Sequence, residues 1–92
     1  MSSDVYSMKS WFEGHVQGVG FRYQTVAIAK GYDVTGIVSN IDDGRVFVHA
    51  EGAQEEVTAF IAEIESEMSS FIRRNELKNA IGPRVYNGFS IS

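Results

Sequence analysis

Apolar residues occupy alternate positions near the start of the chain. Tyr6, Met8 and Phe12 fall on one set of positions, and the positions between them are mostly polar. This period of two predicts a first strand over residues 6–13 with one buried face. From residue 21 the period lengthens to that of a helix, with one stripe of side chains at Phe21, Thr25, Ile28, Ala29 and Tyr32. We therefore predict a first helix over residues 21–32.

A hairpin is predicted next. Residues 34–40 and 45–51 are rich in β-branched side chains, and the residues between them end in Asp43-Gly44. Asp-Gly provides the positive φ angles that a tight turn requires, so the two runs become strands two and three. After residue 52, glutamates suit the positive end of a helix, and apolar residues at helical spacing continue this second helix to Met68.

The last part of the chain, residues 69–92, has the pattern of extended structure with breaks at Gly82-Pro83 and Asn87-Gly88, but without a readable register. The predicted order is thus strand, helix, strand, strand, helix, strand. That order favours an α+β fold of the split βαβ type (βαββαβ), in which two helices cover one face of an antiparallel sheet. No repeat or linker interrupts the pattern, so we expect residues 1–92 to form a single domain.

Composition narrows the classes of function. With 92 residues, 43% hydrophobic and 22% charged, the chain resembles an ordinary globular protein. It contains no Cys, which excludes disulfides, thiolate nucleophiles and Cys-ligated metals. A net charge of −4 disfavours nucleic-acid partners. The sequence shows no signal-peptide pattern and no run of the roughly 20 apolar residues that a membrane span needs, so we expect a cytoplasmic protein without a membrane partner. We also expect a monomer.

A glycine-rich loop separates the first strand from the first helix. It comprises residues 14–21, with glycine at positions 14, 18 and 20. Glycine permits positive φ, so consecutive N–H groups can turn inward around an anion, and the helix N-terminus that follows also favours negative charge. Arg22 stands in the first helical turn, where a cation opposes the helix dipole unless it binds such an anion. From these residues alone, an anion site and a plain bend into the helix are equally open.

Two blocks of residues resemble the acylphosphatase family. Residues 14–22, Gly-His-Val-Gln-Gly-Val-Gly-Phe-Arg, match every fixed position of the family signature G-x-V-Q-G-V-x-F-R. Residues 36–44, Gly-Ile-Val-Ser-Asn-Ile-Asp-Asp-Gly, resemble the second family block, a Gly-x-Val-x-Asn strand end before an Asp-Gly turn. The resemblance implies a ferredoxin-like fold and an enzyme that hydrolyses the carboxyl–phosphate bond of small acyl phosphates without a metal or cofactor.

The resemblance also implies roles for individual residues. Arg22 and Asn40 are the expected catalytic residues, Arg22 neutralising the phosphoryl oxygens and Asn40 positioning the attacking water. The expected phosphate-binding groups are Arg22 and the backbone N–H groups of His15, Val16, Gln17, Gly18, Val19 and Gly20. Inorganic phosphate or sulfate is the expected product-like ligand. The topology supports this site, because parallel strands one and two end at one edge, ~10 Å apart if strand three lies between them.

We expect the other notable polar residues to have structural rather than catalytic roles. We expect His15, at a variable position of the signature, to face solvent. His49 is expected to be structural, because a metal site built on two histidines is improbable. Asp43 and its neighbour Asp42 suit the turn. Gln17 either contacts substrate or braces the loop, and bracing is favoured.

The chain departs from the family pattern at two positions. Asp33 occupies the place of the usual helix-ending glycine, and we expect the helix to stop there because Asp tolerates left-handed backbone. Ile37 stands where the family often has Trp, which changes packing more than chemistry. Neither departure removes a catalytic group.

Other functions compete with that of an acyl phosphate hydrolase. The main one is a non-catalytic domain that binds phosphate or another anion, or that serves as a ferredoxin-like interaction domain. RNA binding is less favoured, because strand three lacks the aromatic stacking pattern of such domains. Nucleotide binding is also disfavoured, since the loop lacks the Lys-Ser/Thr ending of a P-loop.

Overall fold

The computed structural model describes residues 4–92 and contains two helices and five strands in one sheet. In chain order the elements are β1 (Asp4–Gly14), α1 (Phe21–Ala29), β2 (Val34–Asn40), β3 (Val46–Gly52), α2 (Gln54–Glu67), β4 (Ile72–Pro83) and β5 (Phe89–Ile91). The predicted α+β, ferredoxin-like fold is confirmed. The short strand β5 is an addition that the sequence pattern did not predict, and because it runs parallel to β2 the sheet is mixed rather than wholly antiparallel.

The central strands have the arrangement that the site requires. The sheet order is β4-β1-β3-β2-β5, and β3 runs antiparallel to both β1 and β2. β1 and β2 are therefore parallel to each other, with β3 between them. Val46 at the start of β3 pairs with Phe12 on one side and with Asn40 on the other. The ends of β1 and β2 thus stand level at one edge, two strand spacings or about 10 Å apart.

The hydrophobic core lies between the helices and one face of the sheet. Alternate residues of the three central strands and the inner stripe of each helix are buried, which follows from the two hydrophobic periods of the sequence. Phe12 near the end of β1 contacts Phe21 at the start of α1, with ring centroids 5.2 Å apart. Val16, between them in the loop, is 0% exposed. These apolar contacts anchor both ends of the glycine-rich loop.

The first helix ends earlier than predicted. It stops at Ala29, and the N–H groups of Lys30, Gly31 and Tyr32 donate to carbonyls three residues back, so the last turn tightens. Asp33 does not end the helix in left-handed geometry, because no residue other than glycine has positive φ within residues 4–92. Its N–H instead donates to Oε1 of Glu56 on α2 at 2.7 Å. The expectation for Asp33 was therefore wrong.

The hairpin and the second helix follow their predictions. Asp43 Oδ1 accepts a hydrogen bond from the Arg45 N–H at 3.0 Å, and Gly44 has a φ of 92°, so the Asp-Gly pair forms the turn. α2 begins at Gln54 with Glu55 and Glu56 in its first turn. The acidic side chains favour this end of the helix dipole.

The C-terminal residues wrap around the sheet. β4 pairs with β1 along its whole length at one edge, and β5 pairs with β2 at the opposite edge. The crossing segment, residues 84–88, joins these edges over the face that the helices leave open. There the Tyr86 hydroxyl lies 2.8 Å from Nδ1 of His49, which gives this histidine a structural contact. Burial lowers the pKa of His49, and the nearby charge of Lys9 lowers it further.

Glu51 ties the crossing segment to the sheet. Its side chain is 1% exposed and accepts hydrogen bonds from the N–H groups of Val85 and Tyr86 and from the hydroxyl of Thr35. Burial alone raises the pKa of this carboxyl, but these hydrogen bonds and the charge of Arg84 together hold it below its usual value. The buried carboxylate is therefore ionised and satisfied at neutral pH.

Candidate active site

The glycine-rich loop has the left-handed glycines on which an anion-binding nest can be built. Gly18 and Gly20 have φ angles of 78° and 79°, in the left-handed region that glycine adopts without strain. Gly20 is also the residue that precedes α1, and its carbonyl accepts the N–H of Gln24. The first-turn N–H groups of α1 precede the first possible helical bond, so they point out of the helix end toward the loop.

Most of the loop N–H groups are free to bind a ligand. Within residues 4–92, no hydrogen bond uses the backbone N–H groups of residues 16–20. His15 differs from the expectation, because its N–H donates to the carbonyl of Phe71 at 2.9 Å and is already satisfied. Its side chain is exposed, as expected. The loop N–H groups that are left for a ligand are therefore those of residues 16–20.

Gln17 joins the loop to the hairpin. Its Nε2 donates to the carbonyl oxygens of Ile41 and Arg45 at 2.9 and 3.0 Å. Both donor positions of the amide are thus used within the protein, which supports bracing over substrate contact. Because Ile41 directly follows Asn40, this bridge fixes the distance between the nest and Asn40.

A cavity of about 210 Å³ opens between the loop and the end of β2. The structure brings together Arg22, Asn40 and the loop glycines Gly18 and Gly20 around it. His15, Gln17 and Val19 do not line it. The complete lining consists of Val16, Gly18, Gly20, Phe21, Arg22, Tyr23 and Asn40. Tyr23 was missed by the sequence reasoning, although its place beside Arg22 in the first helical turn was a usable signal.

The polar groups of the cavity favour an anion. Arg22 is the charged residue in the lining, and within residues 4–92 its guanidinium has no carboxylate partner. Asn40 is exposed at the end of β2, and its amide makes no hydrogen bond to another described residue. A guanidinium, an amide and unbonded loop N–H groups that lie around one small space can supply the donors that a phosphate-sized anion needs.

Neither a metal-ligand cluster nor a membrane-spanning helix is present in the described part of the chain. Residues 4–92 contain no cluster of three or more His, Asp or Glu side chains that could hold a metal ion. Neither α1 nor α2 is long and apolar enough to cross a membrane.

Comparison with known proteins identifies the family. The acylphosphatase family model matches residues 8–91. The chain belongs to the acylphosphatase family. The acylphosphatase of Thermotoga maritima is 40% identical over 85 residues, which cover 92% of this chain and 94% of the relative. That of Ligilactobacillus salivarius is 39% identical over 80 residues, 86% of this chain and 89% of the relative.

Solved acylphosphatase structures share the fold. The crystal structure of the acylphosphatase from Bacillus subtilis superposes with a TM-score of 0.74 at 27% identity, covering 95% of this chain and 98% of that one. Full-length HypF contains a similar unit, with a TM-score of 0.81 at 32% identity, covering 97% of this chain but 12% of the HypF chain. The relatives that match over nearly their whole length are named acylphosphatases, which favours an enzyme over a non-catalytic binding domain.

Proposed function

We propose that this chain hydrolyses the carboxyl–phosphate bond of small acyl phosphates in the cavity between the loop and β2. The observation that carries the proposal is the shared cavity of Arg22, Asn40, Gly18 and Gly20. These groups come from separate parts of the sequence, and the parallel ends of β1 and β2 bring them to one edge. Family membership supports the same reaction.

Phosphate binding falls to the loop and Arg22. The phosphoryl oxygens accept hydrogen bonds from the N–H groups of residues 16–20, and the guanidinium of Arg22 forks onto the same group. Such charge-assisted, two-point contacts are among the strong hydrogen bonds of proteins. The N-terminus of α1 adds the favourable end of the helix dipole. Donors fixed in place before the reaction stabilise charge that develops in the transition state.

The chemical step needs few further groups. A water oxygen attacks phosphorus, the bond from phosphorus to the carboxyl oxygen breaks, and the carboxylate leaves with that electron pair. A carboxylate is stable at neutral pH, so no protein acid has to protonate the leaving group. A phosphoryl oxygen of the substrate takes the proton of the water, giving a carboxylate and dihydrogen phosphate. Asn40 orients the water, and catalysis rests on placement and electrostatics.

Turnover of acetyl phosphate and benzoyl phosphate in chelator-treated buffer tests the proposal. Release of phosphate above the spontaneous rate supports an enzyme that needs no added metal. A folded protein that accelerates neither reaction overturns the proposal. The expectations of a monomer, a cytoplasmic location and an absence of cofactors stay predictions.

The position of bond cleavage provides a second test. Hydrolysis in ¹⁸O-labelled water places the label in inorganic phosphate if water attacks phosphorus, and in the carboxylate if it attacks carbon. The proposed geometry predicts label in phosphate, measured by mass spectrometry. Label in the carboxylate would contradict the role given to the loop.

A further inference from the structure

Tyr23 is the apolar lining residue that the fold leaves uncovered. It lines the cavity together with Arg22 and Asn40, and it is 73% exposed. The other apolar side chains of the lining, Val16 and Phe21, are 0% and 2% exposed and belong to the core. The proposed chemistry gives roles to Arg22 and Asn40 but none to Tyr23. An exposed aromatic ring at the rim of a charged cavity is therefore available to contact the acyl group of the substrate.

The size of the cavity determines which part of a substrate reaches Tyr23. At about 210 Å³ it is smaller than the sites of roughly 300–1,000 Å³ that enclose drug-sized ligands. Under the proposed function, the phosphate and its carboxyl group lie inside, against the loop and Arg22. An acetyl group adds only a methyl carbon to this unit. A benzoyl group adds a ring, which extends outward to the rim.

We infer that Tyr23 is a specificity-determining residue whose ring packs against the acyl group and favours aromatic over short aliphatic acyl phosphates. This inference rests on the proposed function, because it presumes that the phosphate end of the substrate is held by the loop and Arg22. The ring supplies apolar contact area at a site whose other uncovered side chains are polar. Aromatic pairs gain more from contact than their buried area alone provides.

The test compares kcat/KM for benzoyl phosphate and acetyl phosphate in the wild type and in Tyr23→Ala and Tyr23→Phe. The benzoyl-to-acetyl ratio is expected to fall roughly three- to tenfold in Tyr23→Ala, the range given by the loss of one aromatic contact. Tyr23→Phe retains the ring and is expected to retain the ratio. Ile81→Ala is the matched control, because Ile81 is 75% exposed on β4 and does not line the cavity.

Inhibition by inorganic phosphate separates the acyl contact from the phosphate site. Tyr23→Ala is expected to leave the phosphate inhibition constant within about twofold of the wild type while the substrate ratio changes. An unchanged benzoyl-to-acetyl ratio would overturn the inference, as would a loss of phosphate affinity that matches the loss for benzoyl phosphate. In both of these cases the wild type still turns over substrate, so the proposed function stands. A wild type inert toward both substrates would instead overturn the proposed function.

Discussion

Gln17 connects the glycine-rich loop with the hairpin that carries Asn40. Replacing it tests whether the relative position of these two parts of the site matters for turnover. In the structure its Nε2 donates to the carbonyls of Ile41 and Arg45 across the gap between the loop and the hairpin. Gln17→Ala removes both hydrogen bonds without touching Arg22, Asn40 or any loop N–H group. We expect a modest loss of stability and a larger loss of turnover.

The structure limits the expected loss of stability. Two neutral hydrogen bonds contribute about 1–3 kcal/mol together. Neither carbonyl is left unsatisfied, because Ile41 O still accepts the Gly44 N–H at 3.1 Å and Arg45 O still accepts the Ile41 N–H at 3.0 Å. The free energy of unfolding should therefore fall by about 1–2 kcal/mol, in the lower part of that range. A loop displaced by about 1 Å relative to Asn40 should lower kcat on the order of 10- to 100-fold.

Urea denaturation and steady-state kinetics of the same samples measure both effects. Gln54→Ala is the matched control, since Gln54 is exposed at the start of α2 and far along the chain from the loop. Gln17→Glu should be at least as harmful as Gln17→Ala, because an ionised carboxylate has no donor for the two carbonyls. Full activity in Gln17→Ala, with the expected loss of stability, would refute the positioning role of this side chain.

Two further predictions concern buried polar groups, Glu51 and Ser10. Glu51→Gln should lower the free energy of unfolding by about 2–3 kcal/mol at pH 7, because charge-assisted hydrogen bonds to the crossing segment are lost. Since the folded-state pKa of Glu51 lies below its ordinary value of 4.5, its contribution is complete above that pH and is lost as the pH falls through the folded pKa. Unfolding of both proteins from pH 7 to pH 3 checks this, and a difference that does not shrink in acid would contradict it. Ser10→Ala should raise the free energy of unfolding by about 1 kcal/mol in urea, because the 0% exposed Ser10 hydroxyl has no hydrogen-bond partner within residues 4–92. A destabilised Ser10→Ala would show that the hydroxyl has a favourable contact.

The parts of the fold with a clear hydrophobic periodicity were predictable from the sequence. The hairpin and α2 combine one-sided hydrophobic patterns with local turn or dipole signals, so their elements lie where the pattern placed them. The end of α1 was not predictable, because Tyr32 continues the apolar stripe after the backbone has left the helix. After that end the backbone is tied to another helix, because the Asp33 N–H donates to Glu56 on α2.

The C-terminal region had no readable pattern for a physical reason. β4 is an edge strand whose residues are mostly exposed, so its sequence does not alternate. Its register comes from pairing with β1, which is distant in sequence. The crossing segment is likewise held by contacts with Glu51 and His49, which are distant in sequence and cannot be predicted from a local pattern.

The meeting of Arg22 and Asn40 at one cavity was predictable from the sequence, but the full lining of that cavity and the hydrogen bonds of the loop were not. The signature and the second block identified Arg22 and Asn40, and the topology placed them at one edge. The use of the His15 N–H by Phe71 depends on the start of β4 and could not be read from the loop. The place of Tyr23 beside Arg22 gave a signal that it lies near the site, but its exposure at the cavity depends on how α1 is set against the loop.

The division of labour between Arg22 and Asn40 is the central claim, and phosphate affinity measured alongside kcat tests it most directly. Calorimetric titration with inorganic phosphate and turnover of benzoyl phosphate are to be measured on Arg22→Ala and Asn40→Ala. Lys78→Ala and Asn79→Ala, exposed on β4, are the matched controls. We predict that Arg22→Ala loses phosphate binding and on the order of 10³-fold or more in kcat/KM. Asn40→Ala should keep phosphate binding and lose on the order of 10²- to 10³-fold in kcat. Full turnover in either variant, or equal loss of phosphate affinity in both, would contradict the account.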